Sequence, residues 1–262
     1  MTSTPKAILG SSDIPALAGS LLERLRSERI RVHAITNAAA QTFTANLLLA
    51  AGGIPSLTVA RDEVPAFTQR SNALLVNLGM LDGGRRAAIP EAIATARTHG
   101  KPWVLDPVFV EASPPRLEFA RSRLADRPHI LRCNVTEFAA LAGNDATPDA
   151  VQAFARTHGT VVALTGAVDL IADGMRNLRV ENGHPLMTRV TAMGCAGTAL
   201  IASFAALHGN AAEAAAAALL VTGVAGEVAA HEANGPGTFQ PAFLDALFHL
   251  DPPTLVTCGR VS

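Results

Sequence analysis

The chain has 262 residues, of which 49% are hydrophobic and 16% charged, so it holds ample apolar material for a large buried core. The formal net charge of −1 and the aromatic content of 4% argue against a nucleic-acid partner and against binding to an anionic membrane surface. Three cysteines, Cys133, Cys195 and Cys258, lie far apart with no CxxC pair, which argues against a disulfide framework and a structural zinc site.

Neither a secretion signal nor a membrane span is predicted. The polar segment Met1–Lys6 lacks the apolar stretch of a signal peptide, and the longest apolar run, Ala214–Ala225, is too short to cross a bilayer. No linker composition interrupts the chain, so residues 1–262 are interpreted as one domain. These features predict a cytoplasmic globular protein with no membrane partner.

Short apolar strands alternate with amphipathic helices over the first two thirds of the chain. The predicted strands are 30–35, 55–59, 73–78, 103–105, 130–131 and 161–164, and the predicted helices are 13–29, 41–51, 64–70, 85–99, 116–127, 137–141 and 148–158. Four or five of these strands are expected to form right-handed βαβ units. The pattern therefore predicts an α/β fold with a mostly parallel sheet covered by helices on both faces.

The last third of the chain departs from this alternation. Two short segments within Leu170–Val180 flank Asp173-Gly174, a two-residue hairpin signal that predicts an antiparallel edge to the sheet. Beyond them the chain is predicted to be helical over 195–207, 211–231 and 239–249.

Polar side chains follow several predicted strands, at the edge where parallel α/β sheets bind ligands. They are Thr36-Asn37, Asn77, Asp106, Arg132–Asn134 and Thr165-Gly166. Asp106 suits Mg²⁺ or a metal-bound water, with an Asp-Pro turn as the alternative. Glu137 lies three residues after Asn134, so a capping box is the alternative to a functional carboxylate. Arg132 is either a phosphate ligand or an ordinary surface charge.

The segment Ala192–Leu207 reads as a small-residue turn followed by a buried helix that begins at Gly194 or Cys195. Free N–H groups and the helix dipole would make this start an anion site, with the N–H groups of Met193, Gly194 and Cys195 as donors. The same field would make Cys195 more acidic than a free thiol. The alternative is that Cys195 is simply a small residue opening a core helix. No GxxxxGK[ST] motif is present, so any phosphate is bound without a P-loop.

Six segments, in the same order, resemble the hydroxyethylthiazole kinases. They are Val32–Asn37, Gln41–Asn46, Leu105–Val108, Arg132–Glu137, Leu164–Asp169 and Gly235–Phe239, and the likeness runs from about residue 10 to residue 250. The resemblance implies a ribokinase-like three-layer α/β/α sandwich and a role in thiamine salvage. It implies phosphorylation of the hydroxyethyl group of 4-methyl-5-(2-hydroxyethyl)thiazole with ATP and Mg²⁺. It also implies a homotrimer with active sites at subunit interfaces.

The resemblance assigns roles to individual residues. Cys195 takes the position of the catalytic cysteine, Arg132 and Thr165 fall on ATP-binding positions, and Asp106 and Glu137 fall on the acidic positions that organise Mg²⁺ and its waters. Two further residues, Leu57 and Ala192, fall on substrate-binding positions.

The turn before the helix departs from the family pattern. The family usually has Gly-Thr-Gly-Cys where this chain has Ala192-Met193-Gly194-Cys195, and an alanine at that first position makes a positive φ unfavourable. One alternative is therefore a thiazole-binding relative with weak or lost kinase activity. Another is a ribokinase-like kinase of a different small heterocyclic alcohol. An enzyme is favoured by the joint retention of Asp106, Glu137, Arg132, Thr165 and Cys195, because a binding protein has no need of the metal-organising carboxylates.

Overall fold

Eight strands form one sheet in the computed structural model, which describes residues 9–262; the segment Met1–Lys6 therefore lies outside the described residues. The strands are β1 (Arg31–Ile35), β2 (Ile54–Ser56), β3 (Ala73–Asn77), β4 (Trp103–Asp106), β5 (Ile130–Asn134), β6 (Val161–Thr165), β7 (Asp169–Ala172) and β8 (Asn177–Val180). Their order across the sheet is β2-β1-β3-β4-β5-β6-β7-β8. The first six pair in parallel, whereas β7 and β8 pair antiparallel, which confirms the predicted mixed sheet.

Helices cover both faces of the sheet. They are α1 (Ile14–Glu28), α2 (Gln41–Ala51), α3 (Val64–Gln69), α4 (Gly83–Thr98), α5 (Pro114–Leu124), α6 (Val135–Ala142), α7 (Pro148–His158), α8 (Met193–Leu207), α9 (Ala211–Glu232), α10 (Pro236–His249) and α11 (Pro252–Cys258). One apolar core joins the sheet to α1, α2 and α8–α11, and a second joins the opposite face to α3–α7. The predicted three layers are confirmed.

The continuous apolar pattern of the strands follows from these two cores. In β3, Ala73 and Leu75 enter the first core, whereas Leu74 and Val76 enter the second. Since side chains alternate across a strand, a strand buried on both faces needs apolar residues at every position. The last residue is polar in β3, β4, β5 and β6 (Asn77, Asp106, Asn134 and Thr165), which places these groups at one edge. Two polar residues, His33 and Arg132, lie inside β1 and β5.

Several element boundaries differ from the sequence prediction. The eight strands correspond to the six predicted strands and the two segments of the hairpin, but the strand predicted at 55–59 is only Ile54–Ser56 and the one predicted at 130–131 continues to Asn134. The hairpin connection spans four residues because Asp173 Oδ1 accepts the N–H groups of both Met175 and Arg176. Helix α11 was missed; it begins at Pro252, and Asp251 caps it by accepting from Thr254 N–H.

Helix α9 corrects one further prediction. By length and apolar composition its 22 residues could cross a membrane, although the apolar run within it was judged too short. In the fold, 78% of its most apolar window is buried, and it packs against α1, α8 and α10. Its hydrophobicity is explained by this core position.

Candidate active site

The carboxyl ends of the parallel strands meet at one edge of the sheet, and α8 begins at that edge. The register pairs Asn77 of β3 with Asp106 of β4, and Asn134 of β5 with Thr165 of β6. Contacts reach the first turns of α8 from the loop after β1 and from β4 and β5. The polar groups that were predicted to follow separate strands are therefore brought together.

Asp106 is completely buried, and its two carboxylate oxygens have different surroundings. Oδ2 accepts hydrogen bonds from Asn77 Nδ2 at 2.8 Å and from Thr198 Oγ1 at 3.0 Å. Oδ1 has no hydrogen-bond partner in the described part of the chain and lies 3.8 Å from Arg132 Nη1. Burial raises the pKa of Asp106 to about 6, although the Arg132 charge opposes the rise. An unpartnered buried carboxylate oxygen points to a ligand at this position.

Arg132 is a largely buried cation, not an ordinary surface charge. Its side chain is only 16% exposed, and a methyl group added at Gly194 would lie 2.6 Å from its Nη2 atom. The guanidinium therefore lies directly against the backbone of the first turn of α8. Such a position places a fixed positive charge beside the start of the helix, where an anion would bind.

Glu137 forms the capping box that was the alternative interpretation. Its Oε2 accepts from Asn134 N–H at 2.9 Å, while Asn134 Oδ1 accepts from Glu137 N–H at 2.8 Å. Its Oε1 accepts from Phe109 N–H at 3.1 Å, which connects the loop after β4 to the first turn of α6. The negative charge nevertheless lies close enough to Asp106 to raise its pKa further.

The residues fit a magnesium ion held together with substrate phosphates. No three His, Cys, Asp or Glu side chains come together as a metal cage within residues 9–262. Mg²⁺ does not require such a cage, because it is commonly held by one or two carboxylates plus phosphate oxygens and water. Oδ1 of Asp106 fits direct coordination, and the backbone-bonded Glu137 fits a contact through water.

Cys195 lies in the first turn of α8, but its thiol is less acidic than predicted. Burial and the neighbouring Asp106 charge raise its pKa to about 12, although hydrogen bonds from Asn77 and Asn37 oppose the rise. The Sγ atom lies 3.8 Å from Asn37 Nδ2. The prediction of an acidified thiol was wrong, because desolvation by the surrounding elements outweighs the favourable field of the helix start.

The helix starts at Met193, one or two residues earlier than predicted, and the residue before it is strained. Ala192 has φ 68° and ψ 7°, the left-handed conformation that normally favours glycine, and it provides no side-chain cap. Met193 N–H donates to Val190 O at 3.4 Å, which corrects the prediction of three free donors. Gly194 and Cys195 N–H have no acceptor among residues 9–262. Two donors are therefore available to an anion.

Two predicted residues, Thr165 and Leu57, lie at the same edge but make no hydrogen bond to the side chains of this cluster. Thr165 ends β6, and its Oγ1 lies 3.4 Å from Cys133 O, so the hydroxyl group is only weakly engaged. Leu57 lies just beyond β2, half-buried against the core that also contains Met193. Their roles in ATP binding and substrate binding stay predictions.

Sequence reasoning did not assign four residues that line the cluster. Asn37 and Asn77 were noted as polar strand ends but given no role, and Thr198 lies one helical turn after Cys195, a spacing that could have identified it. Asp169 accepts from Gly166 N–H at 3.0 Å, and burial raises its pKa to about 6, opposed by this bond and by Arg132. No local signal distinguished Asp169 from an ordinary turn residue.

Comparison with known proteins decides the family. A model of the hydroxyethylthiazole kinase family matches residues 22–252. The chain belongs to the hydroxyethylthiazole kinase family. A probable hydroxyethylthiazole kinase from Agrobacterium fabrum is 45% identical over 253 residues, which cover 96% of this chain and 98% of that protein.

Solved structures agree with this family membership. A hydroxyethylthiazole kinase from Pyrococcus horikoshii matches with a TM-score of 0.90 at 35% identity, covering 94% of this chain and 98% of that chain. A ribokinase-like superfamily protein from Enterococcus faecalis matches with a TM-score of 0.68 at 14% identity, covering 91% and 94%. The predicted family, its phosphotransferase class and the ribokinase-like α/β fold are confirmed.

Proposed function

We propose that this protein transfers the γ-phosphoryl group of ATP to the hydroxyethyl group of 4-methyl-5-(2-hydroxyethyl)thiazole, as a step in thiamine biosynthesis or salvage. The observation that carries the proposal is a single cluster in a chain of this kinase family. A carboxylate with a free buried oxygen, a largely buried arginine and an uncapped helix start lie together. Phosphoryl transfer needs mainly alignment and neutralisation of negative charge, and these groups supply both.

ATP would bind with its phosphates toward Arg132 and the start of α8. The N–H groups of Gly194 and Cys195 would donate to the transferring phosphoryl oxygens, and Arg132 would hold a fixed charge beside them. Thr165 would contact the nucleotide from the end of the neighbouring strand. Asp106 would hold Mg²⁺ through Oδ1, with Glu137 acting through water. When bound, Mg²⁺ would neutralise part of the phosphate charge.

Cys195 would orient the substrate hydroxyl group and not remove its proton beforehand. A thiol whose pKa is raised to about 12 is protonated at neutral pH, so little thiolate is available as a base. A loose phosphoryl-transfer transition state requires little deprotonation before the new O–P bond forms. Ala192 and Leu57 would contact the thiazole ring.

We also propose a cytoplasmic homotrimer with active sites at the subunit interfaces. Family membership supports it, and so do two apolar side chains that flank the site, Met80 at 58% and Phe109 at 63% exposure. A neighbouring subunit would cover such surface. Light scattering after size-exclusion chromatography measures the mass: a trimer of about three times 27.1 kDa supports this assembly, and a monomer contradicts it.

A specific observation favours a second candidate, a thiazole-binding relative with weak kinase activity. Ala192 adopts the left-handed conformation in which an alanine is strained, at the residue that opens the phosphate-binding turn. If this strain misplaces the turn, Ala192→Gly would raise turnover in a protein that already binds thiazole.

The deciding experiment measures ADP formation by the purified protein with Mg²⁺, ATP and three acceptors: the hydroxyethylthiazole, pyridoxal and hydroxymethylpyrimidine. Turnover confined to the thiazole supports the proposal. Turnover of pyridoxal or hydroxymethylpyrimidine instead would show that the proposed thiazole substrate is wrong. Thiazole binding by calorimetry without turnover would favour the second candidate, and neither binding nor turnover would contradict both.

A further inference from the structure

Asn77 connects the two halves of the site through the end of β3. It is completely buried, and the sheet register places it directly beside Asp106. Its Nδ2 donates to Asp106 Oδ2 at 2.8 Å, and its Oδ1 accepts from Asn37 Nδ2 at 3.1 Å. Asn37 Nδ2 in turn faces Cys195 Sγ at 3.8 Å. One chain of amides therefore runs from the carboxylate to the thiol.

Backbone groups fix the direction of this chain. Asn77 Oδ1 also accepts from Gly79 N–H at 3.0 Å, so turning the amide over would direct its NH₂ group at another donor. Asn37 is fixed in the same way, because its Oδ1 accepts from Ala40 N–H at 3.0 Å. Each side-chain amide is therefore obliged to present its NH₂ group to the next member. Asn77 can meet Asp106 only as a donor.

The fold also reserves space for this contact. A methyl group added at Gly79 would lie 2.7 Å from Asn37 Nδ2 and 3.0 Å from Asn77 Oδ1. Both distances are shorter than ordinary van der Waals contacts, so glycine is needed where the loop crosses the amide pair. The loop after β3 is thus built around these two side chains.

The hydrogen bond from Asn77 also determines where the free oxygen of Asp106, Oδ1, points. Asn77 and Thr198 both donate to Oδ2, so that oxygen is held from two sides. Oδ1 is left without a donor and faces Arg132, toward the phosphate side of the site. A carboxylate anchored by one oxygen presents the other in one direction only, as groups behind metal ligands commonly arrange.

We propose that Asn77 is a positioning residue for phosphoryl transfer: it anchors Asp106 through Oδ2 so that Oδ1 faces the phosphates and their metal ion. This inference rests on the role proposed above for Asp106. Asn77 itself need not touch a substrate. Its contribution is realised in the rate of transfer and in the requirement for Mg²⁺, because both depend on where Oδ1 lies.

The test compares Asn77→Ala with a matched control, Asn182→Ala. Asn182 is also a buried amide with three hydrogen bonds, to Glu227, Cys258 O and Arg260 N–H, but it lies beyond β8 and far along the sheet from Asp106. We expect Asn77→Ala to lower kcat roughly 10- to 100-fold and to weaken Mg²⁺ binding, measured by calorimetry in the presence of ADP, by a similar factor, with the thiazole KM nearly unchanged. Asn182→Ala should lower only the melting temperature.

A second variant and a second background distinguish a loss of positioning from a general loss of folding. Asn77→Asp keeps the shape but places an acceptor against Asp106 Oδ2, so kcat should fall at least as far. In an Asp106→Asn background, adding Asn77→Ala should change the residual rate by less than about twofold, since the partner is already lost.

The two proposals fail in different ways. A wild-type protein without thiazole turnover would contradict the proposed function. An active wild type in which Asn77→Ala behaves like Asn182→Ala, or in which its effect persists undiminished in Asp106→Asn, would overturn the positioning role alone.

Discussion

Helices α8 and α9 are neighbours with similar buried, apolar sequences, yet they begin in opposite ways. Helix α9 is closed: Asn210 Oδ1 accepts from Ala212 and Glu213 N–H, and Glu213 itself accepts from Arg176 at 2.8 Å. Helix α8 has no side-chain cap and no acidic residue in its first turn, and it begins after a strained alanine. In α9, side chains of the protein accept hydrogen bonds from N–H groups of the first turn. In α8, the N–H groups of the first turn are left for a ligand.

The start of α8 is a candidate anion site partly because it lacks a capping side chain and an acidic residue in its first turn. Each helix start has a largely buried arginine nearby: Arg176, 22% exposed, at α9 and Arg132, 16% exposed, at α8. At α9 the arginine is neutralised by Glu213 inside the first turn, so no charge remains for an anion. At α8 the nearest carboxylate, Asp106, comes from a strand and leaves the N–H groups of the helix free. An anion would complete this arrangement.

Replacing the arginine beside each helix start should give the largest difference between α8 and α9. Arg132→Met is expected to lower kcat/KM for ATP by about 100- to 1000-fold, because a fixed charge beside the transferring phosphoryl group is lost. Arg176→Met should leave this constant unchanged and lower the melting temperature, because buried Glu213 loses its partner. Steady-state kinetics beside thermal melts measure both, and equal kinetic losses in the two variants would contradict the distinction.

The reactivity of Cys195 tests whether the open helix start activates the thiol. With a pKa of about 12, its alkylation by iodoacetamide should be on the order of 1000-fold slower than that of a free thiol at pH 8, because the thiolate fraction is that much smaller. The rate should keep rising through pH 10, since the thiolate fraction grows until the pH passes the pKa. The measurement uses a Cys258→Ser background, because Cys258 is exposed. A plateau below pH 9 would mean that the helix field outweighs burial.

Opening the closed helix should affect stability and not catalysis. Asn210→Ala removes two hydrogen bonds to the first turn of α9 and should lower the free energy of unfolding by about 1 to 2 kcal/mol. Denaturant titration measures this loss, with kcat as the control. A large fall in kcat at a temperature where the variant is folded would show that the two helix starts are coupled.

Relieving the strain before α8 should give the smallest effect. Ala192→Gly is expected to raise the free energy of unfolding by about 1 kcal/mol or less, because glycine adopts φ 68° without the clash of a Cβ atom. The control is Arg29→Gly, which relieves the same kind of left-handed strain at the end of α1, far from the site. Destabilisation by Ala192→Gly alone would indicate that the methyl group packs favourably.

The parts of the site that depend on local sequence could be predicted. Asp106 ends β4 and the small-residue turn before α8 marks a helix start, so each was identified from its own segment. Arg132 was predicted to follow a strand at 130–131, but it lies inside β5, which continues to Asn134. Glu137 was left between two interpretations, and the structure shows the capping box without removing its charge from the site.

The parts of the site that depend on segments far apart in the chain could not be predicted from the sequence. Asn37 and Asn77 are 40 residues apart, and only the β1–β3 pairing brings them together. The thiol of Cys195 was expected to be acidic because the helix start is visible in the sequence, whereas the elements that bury it are not. Local patterns indicate which groups are present; the register decides how each is solvated.

The most direct test of the central claim is a crystal structure with ADP, aluminium fluoride, Mg²⁺ and the hydroxyethylthiazole. The account predicts the fluoride, which takes the place of the transferring phosphoryl group, within hydrogen-bond distance of Gly194 and Cys195 N–H and beside Arg132, with Asp106 Oδ1 toward the metal. A fluoride bound elsewhere, with these two N–H groups facing only water, would contradict it.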